Sequence, residues 1–207
     1  MKILITGITG FVGSHLADYI LDRNEGHDVY GLCRWRSPRE NLARSYSRIS
    51  LVEADLTDLG ALIRHLDAIR PDAIFHLAAQ SYVLTSFNAP IQTFTSNIIG
   101  TGNLLEAVRI TNIDPVIHIC SSSEVYGQVR PEDVPIREDC PFKPASPYAV
   151  SKVGEDMVAL QYWLSHRIRT IRTRMFTHTG PRRGDVFAMS FFAKQVAAAE
   201  LGMREKV

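Results

Sequence analysis

"KILITGITGFVGSHLADYI", residues 2–20, decides the fold. The apolar run Lys2 to Thr6 reads as a strand, and "GSHLADYILDRN" (13–24) carries apolar residues at helical spacing. Between them stand Gly7, Gly10 and Gly13. Gly7 permits a tight turn, Gly10 lets the backbone approach a pyrophosphate, and Gly13 lets the helix pack on the strand. The helix N-terminus then meets the anion. A glycine triplet alone is a weak signal and equally an ordinary turn. Its placement between a strand and a helix makes it a dinucleotide loop.

Outward from this loop, short apolar runs alternate with longer helical patterns. "DVYGLC" (28–33), "ISLVEA" (49–54), "AIFHLA" (73–78), "VIHIC" (116–120) and "RTIRTRMF" (169–176) read as strands. Most lack a polar alternate face, as in a parallel sheet covered on both sides. Helical spacing recurs at 59–69, 90–110 and 146–166. The alternation predicts an α/β fold, a doubly wound parallel Rossmann sheet with helices on both faces. Residues 1–176 form the expected NAD(P)-binding domain. Residues 177–207, with a last helix over 187–202, read as the start of a smaller C-terminal substrate lobe, and the chain is expected to continue past "MREKV". The stretch 128–146, with Pro131, Pro135, Pro141 and Pro144, reads as a long loop of the kind that often carries function.

Composition excludes several classes. With 207 residues, 45% hydrophobic and 22% charged, the chain suits a globular core, and a net charge of +1 gives no field toward nucleic acid or an anionic membrane. There is no apolar run of membrane-spanning length, and Ile3 to Ile5 is too short for a signal peptide. Cys33, Cys120 and Cys140 have no metal-like spacing, so no metal site is expected and the reduced cytoplasm is the expected compartment. His76 and His118 lie within strands and read as core residues rather than metal ligands.

About twenty residues past Gly13, an NAD-binding chain would place an acid for the ribose hydroxyls. Cys33 stands there, followed by Arg34, Trp35, Arg36 and Ser37. Arg34 and Arg36 suit a 2′-phosphate, which guanidinium grips in a forked, charge-assisted geometry, so NADP is expected over NAD. The plainer reading is a solvated basic loop. Asp55, in "ADLTD", either accepts from the adenine amino group or caps the helix that follows.

Tyr148 and Lys152, in "SPYAVSK", are four residues apart on one helical face. A neighbouring ammonium lowers a phenol's pKa and makes it a usable base. "SSSEVYG" (121–127) follows the strand "VIHIC", at the carboxyl edge where ligands bind in open α/β sheets. A serine there reaches the substrate oxygen that Tyr148 deprotonates, and Glu124 reaches the neighbouring carbon as a second base. Hydride transfer alone needs no such carboxylate; elimination does.

These stretches, with "HLAAQSYV" (76–83) and "HTGPRRGD" (178–185), resemble the extended short-chain dehydrogenases/reductases of the nucleotide-sugar branch. Within that branch they are most similar to the GDP-mannose 4,6-dehydratases. The resemblance implies a catalytic set of Ser122, Glu124, Tyr148 and Lys152. It implies cofactor contacts from Gly7, Thr9, Gly10, Phe11, Val12, Gly13, Asp55, Leu56, Leu77, Ala78, Ala79, Gln80, Ser81, Lys152, His178 and Arg183, to which Tyr148 and the basic loop Arg34, Arg36 and Ser37 are added. Ser81, Ser123, Glu124 and Thr177 fall on the substrate side. The implied reaction is internal redox: Tyr148 takes the C4 hydroxyl proton as hydride leaves C4, Glu124 removes the C5 proton, water leaves from C6, and hydride returns there. One departure is Thr177, where these dehydratases carry asparagine before the histidine; "HTG" is closer to the related reductases. A reductase, epimerase or decarboxylase on the same scaffold is therefore the alternative, and a non-catalytic NADP-binding protein the second. A homodimer or homotetramer joined through the two long helices is the implied assembly, with Leu160, Tyr162 and Trp163 either packed or at that interface.

Overall fold

The structure, a computed structural model, describes residues 1–203. The end of the expected substrate lobe, 204–207, lies outside the described residues. Six parallel strands form one sheet: β1 Lys2–Thr6, β2 Asp28–Cys33, β3 Ser50–Glu53, β4 Ala73–His76, β5 Val116–Ser122 and β6 Thr170–Met175. Their spatial order is β3-β2-β1-β4-β5-β6. The chain winds outward in both directions from β1 and β4, so a crevice opens at their carboxyl ends. Leu4 of β1 pairs with Tyr30 on one side and Ile74 on the other.

Strand residues alternate between two apolar layers. Leu4, Ile74, Ile117 and Ile119 face helices α2 (Leu59–Ile69), α5 (Gly100–Ile110) and α6 (Pro147–His166), where Leu62, Leu66, Leu104, Leu105 and Ala159 complete a core. Ile3, Ile5 and Val29 face the other way, against Ala17, Ile20 and Leu21 of α1 (Phe11–Asp22) and Leu42. Burying a side chain such as Leu104 completely contributes about 1.5–3 kcal/mol.

Helix starts follow local chemistry. Ser146 accepts from the Ala149 amide at 3.0 Å and Pro147 opens α6 without wasting an amide proton. The cap of α2 is Asp58, which accepts from the Ala61 amide at 2.9 Å. Asp55, one of the two readings of which was this cap, instead ties the preceding turn, accepting from the Thr57 amide and hydroxyl.

Some boundaries differ from the sequence reading. The run 90–110 is not one regular helix but α4 (Pro90–Phe94), a π turn (Thr95–Ile99) and α5. A further short helix, α3 (Val83–Asn88), precedes Pro90 and is too brief to show a period. α1 begins at Phe11, two residues early, because Gly10 is already extended and serves as its N-cap. β5 runs on to Ser122, which pairs with Met175 of β6. The last helix, α7, spans Ala188–Glu200. No helix among the described residues is long and apolar enough to cross a membrane.

Candidate active site

A cleft of about 670 Å³ lies over the carboxyl ends of β1, β2, β4 and β5. Its floor is the glycine loop. Gly7 takes φ +70° to make the turn, and a Cβ there would sit 2.8 Å from the Ala78 backbone. A Cβ at Gly13 would fall 2.4 Å from the Gly7 carbonyl oxygen. Both positions therefore exclude larger residues, and the turn and the start of α1 pack tightly against the loop that follows β4 and against the turn itself.

The cleft gathers Gly7, Thr9, Gly10, Phe11, Val12 and Gly13 with Arg34, Ser37, Asp55, Leu56 and the run Leu77 to Ser81. Ser122, Tyr148 and Lys152 line it too, and His178 and Arg183 line it against Phe11 of the glycine loop. Arg36 lies instead in a side pocket with Arg34, Trp35 and Ser37, its guanidinium 4.1 Å above the Trp35 ring. Ser123, Glu124 and Thr177 do not line the cleft. Glu124 is exposed on the 3-10 turn Ser123–Tyr126, where its amide donates to the Ser122 hydroxyl at 3.2 Å.

Lys152 is 5% exposed, and its ammonium sits 5.8 Å from the Tyr148 ring centre. It donates to the Glu155 carboxylate at 2.6 Å and to the Cys120 carbonyl at 2.9 Å. The expected lowering of the phenol's pKa by this ammonium does not prevail. Burial raises Tyr148 above its ordinary value, more than Lys152 and the Ser122 hydroxyl lower it, and Glu155 and Cys120 add to the rise.

Behind the cleft runs a buried polar track that the sequence reading missed. The Thr6 hydroxyl accepts from the amides of Leu77 and Ala78, at 3.2 and 3.1 Å, and donates to His76 Nδ1 at 2.8 Å. His76 Nε2–H then donates to the Thr101 hydroxyl at 2.9 Å, which lies 3.5 Å from Glu155. Burial, with Lys152 and His118 nearby, holds His76 down to about 3, so the ring is neutral. Asn97, in the π turn, clamps Gln80 by both its amide and its carbonyl and donates to Ser151. The spacing of Glu155 from Lys152 and Tyr148, three and seven residues, puts all three on one face of α6 and was readable. Thr6, Asn97 and Thr101 carry no such signal.

The stretch after β6 crosses the mouth of the glycine loop. The His178 ring stacks on Phe11, the Arg183 guanidinium lies 4.1 Å from the Phe187 ring centre, and Asn41 donates to the Thr9 carbonyl. Arg182 closes the strap on α1 by pairing with Asp18 at 2.6 Å. Among the described residues no group of histidine, cysteine or acidic side chains is placed to hold a metal.

The GDP-mannose 4,6 dehydratase family model matches residues 4–207. GDP-mannose 4,6-dehydratase of Yersinia enterocolitica is 38% identical over 216 residues, covering 99% of this chain and 57% of that protein. Among solved structures, the dTDP-glucose 4,6-dehydratase DesIV of Streptomyces venezuelae with NAD and TYD bound is 29% identical with a TM-score of 0.87, covering 96% of this chain and 63% of that one. RMD from Pseudomonas aeruginosa complexed with NADPH is 30% identical with a TM-score of 0.81, covering 98% and 63%. The chain thus spans a little over half the length of the Yersinia relative. By its sequence from residue 4 onward and by the fold that sequence takes, the chain belongs to the GDP-mannose 4,6-dehydratase family.

Proposed function

We propose that this chain carries the cofactor site and catalytic groups of a GDP-mannose 4,6-dehydratase that uses NADP. The observation that carries the reading is the convergence of Ser122, Tyr148 and Lys152 on the glycine-loop cleft. A carboxylate, Glu124, stands two residues beyond Ser122.

The cleft fits a dinucleotide. Its glycine loop opens α1, Asp55 and Leu56 line the cleft and would meet the adenine, and Arg34 and Ser37 line both the cleft and the side pocket. Those two residues, with Arg36, would hold a 2′-phosphate. Bound there, NADP⁺ supplies the hydride acceptor and later the hydride donor.

The chain's own groups do the rest. Lys152 has three N–H bonds, two of them fixed inside the protein, and offers the third to the ribose. Tyr148 takes the proton of the C4 hydroxyl while Ser122 holds the same oxygen. Oxidation at C4 acidifies C5, whose proton Glu124 removes from the exposed rim as the C6 hydroxyl leaves as water. Ser81, Ser123 and Thr177 would bind the substrate, and residues from 177 onward would begin its lobe.

Thr177, standing where the dehydratases carry asparagine, favours a second reading as a reductase of the 4-keto-6-deoxy sugar. Incubation with GDP-mannose separates the two. Loss of one water without added reductant supports the dehydratase, and consumption of NADPH on the keto sugar supports the reductase. A homodimer is also proposed. Val150, Met157 and Leu164 form an exposed stripe at seven-residue spacing on α6, and Ile91 of α4 and Ile99 of the π turn are exposed as well. Light scattering tests it, and a monomer at high concentration would rule it out.

A further inference from the structure

We infer that Glu155 is a positioning residue: it holds Lys152 as an ammonium behind the cleft, so that Tyr148 loses its proton beside a paired charge rather than a lone cation. The inference rests on the roles proposed for Tyr148 and Lys152. Glu155 itself does not line the cleft; it acts through the lysine it holds and through its own charge on Tyr148.

The geometry is that of a dedicated counter-ion. Glu155 is 1% exposed, and its carboxylate lies 2.6 Å from the lysine nitrogen. That contact and the one to the Cys120 carbonyl at 2.9 Å take two of the three N–H bonds of the ammonium and aim the third. The track from Thr6 through His76 to Thr101 hands its hydrogens in one direction, and Glu155 and the Asn97 carbonyl stand at its accepting end.

The charged and titratable neighbours are few. Cys120 and His118 approach from β5 and His76 from β4, while Glu155 and Asp156 come from α6 itself. Asp156 is occupied by Arg172 and Arg174 of β6. From the π turn and α5, Asn97 and Thr101, both uncharged, reach this cluster. Glu155 is thus the one carboxylate paired with Lys152 among the described residues.

Burial pushes the Glu155 carboxyl up, and the Lys152 ammonium at 2.6 Å is what holds it ionised. The ammonium, the carboxylate and the neutral phenol then sum to zero, so ionising Tyr148 leaves a net negative charge in a buried site. Removing the carboxylate makes the same cluster a net cation, and losing one proton returns it to neutrality. Burial penalises net charge, so that proton leaves at lower pH. The pairing holds Tyr148 as the phenol at rest, and the phenolate that takes the C4 hydroxyl proton forms at higher pH than it would beside a lone cation.

The test reads Tyr148 directly and needs no substrate, so it stands even if the dehydratase proposal fails. Phenolate absorbance is titrated as the difference between the chain and its Tyr148→Phe variant, in wild-type, Glu155→Gln and Glu155→Asp backgrounds. The expected result is a midpoint about one pH unit lower in Glu155→Gln, within the range that one nearby charge produces. Glu155→Asp should return it toward the wild-type value. An unchanged midpoint in Glu155→Gln, or an equal shift in both variants, overturns the inference. Should Glu155→Gln not fold, the nitrogen resonance of Lys152 in the unmodified chain decides. Lys152 must remain an ammonium throughout the Tyr148 transition, and an amine that forms first overturns it.

Discussion

Acid should unfold this protein partly through one histidine. His76 is 2% exposed, and its ring is fixed at both nitrogens: Nδ1 accepts from Thr6 and Nε2 donates to Thr101. Charging the ring would place a proton on Nδ1, facing a hydroxyl whose oxygen is already used by two amides, and beside the Lys152 ammonium. Folded His76 therefore titrates at about 3 against 6.5 when exposed. Between those values the unfolded chain binds the extra proton, so the neutral ring's contribution is complete above 6.5 and is lost as pH falls toward 3. At pH 4.5 the loss is two units' worth, about 2.7 kcal/mol. Urea unfolding of the wild type and of His76→Gln at pH 7 and 4.5 measures it. The carboxylates contribute to both proteins alike and cancel in the comparison. The wild type should lose about 2.7 kcal/mol more than the variant between the two pH values. Equal losses would refute the buried neutral ring.

Gly13→Ala should lower stability by about 1–3 kcal/mol, seen as a lower Tm, because its Cβ meets backbone atoms that cannot step aside; an unchanged melt would contradict the packing. Arg34→Ala should weaken NADP⁺ about ten- to hundredfold by titration calorimetry and leave NAD⁺ nearly unchanged. Equal losses for the two cofactors would remove the 2′-phosphate assignment. Glu124→Gln should cut turnover of the nucleotide sugar by about 10²–10⁴ while NADP⁺ binding persists, and normal turnover would end its role as base.

The sheet was legible because most strands are short apolar runs and most crossovers longer periodic ones; the link from β2 to β3 holds only two short 3-10 turns, Glu40–Leu42 and Tyr46–Arg48. The glycine loop was legible because a tight turn and a close helix leave few residue types possible at Gly7 and Gly13. The π turn was not, since its register shift depends on how Asn97 meets Gln80 and Ser151, partners 17 and 54 residues away. Tyr148 and Lys152 were found by their spacing on one helix, and Lys152 does lower the phenol's pKa as expected, but burial outweighs it and the net shift is upward. Spacing reveals the ammonium's proximity but neither the depth of burial nor the carboxylate that partners it. Thr6 and His76 read as strand interior because a buried polar pair inside a parallel sheet has the same sequence pattern as plain core.

The roles given to Tyr148 and Glu124 meet in a single labelling measurement. GDP-mannose carrying deuterium at C4 is incubated with the NADP⁺-loaded chain without any reductant, and the product is analysed by mass and by magnetic resonance. Internal hydride transfer predicts a product lighter by one water, with the deuterium retained and now at C6. Water loss with the deuterium gone from the sugar, or no water loss from a chain that demonstrably holds NADP⁺, would contradict it.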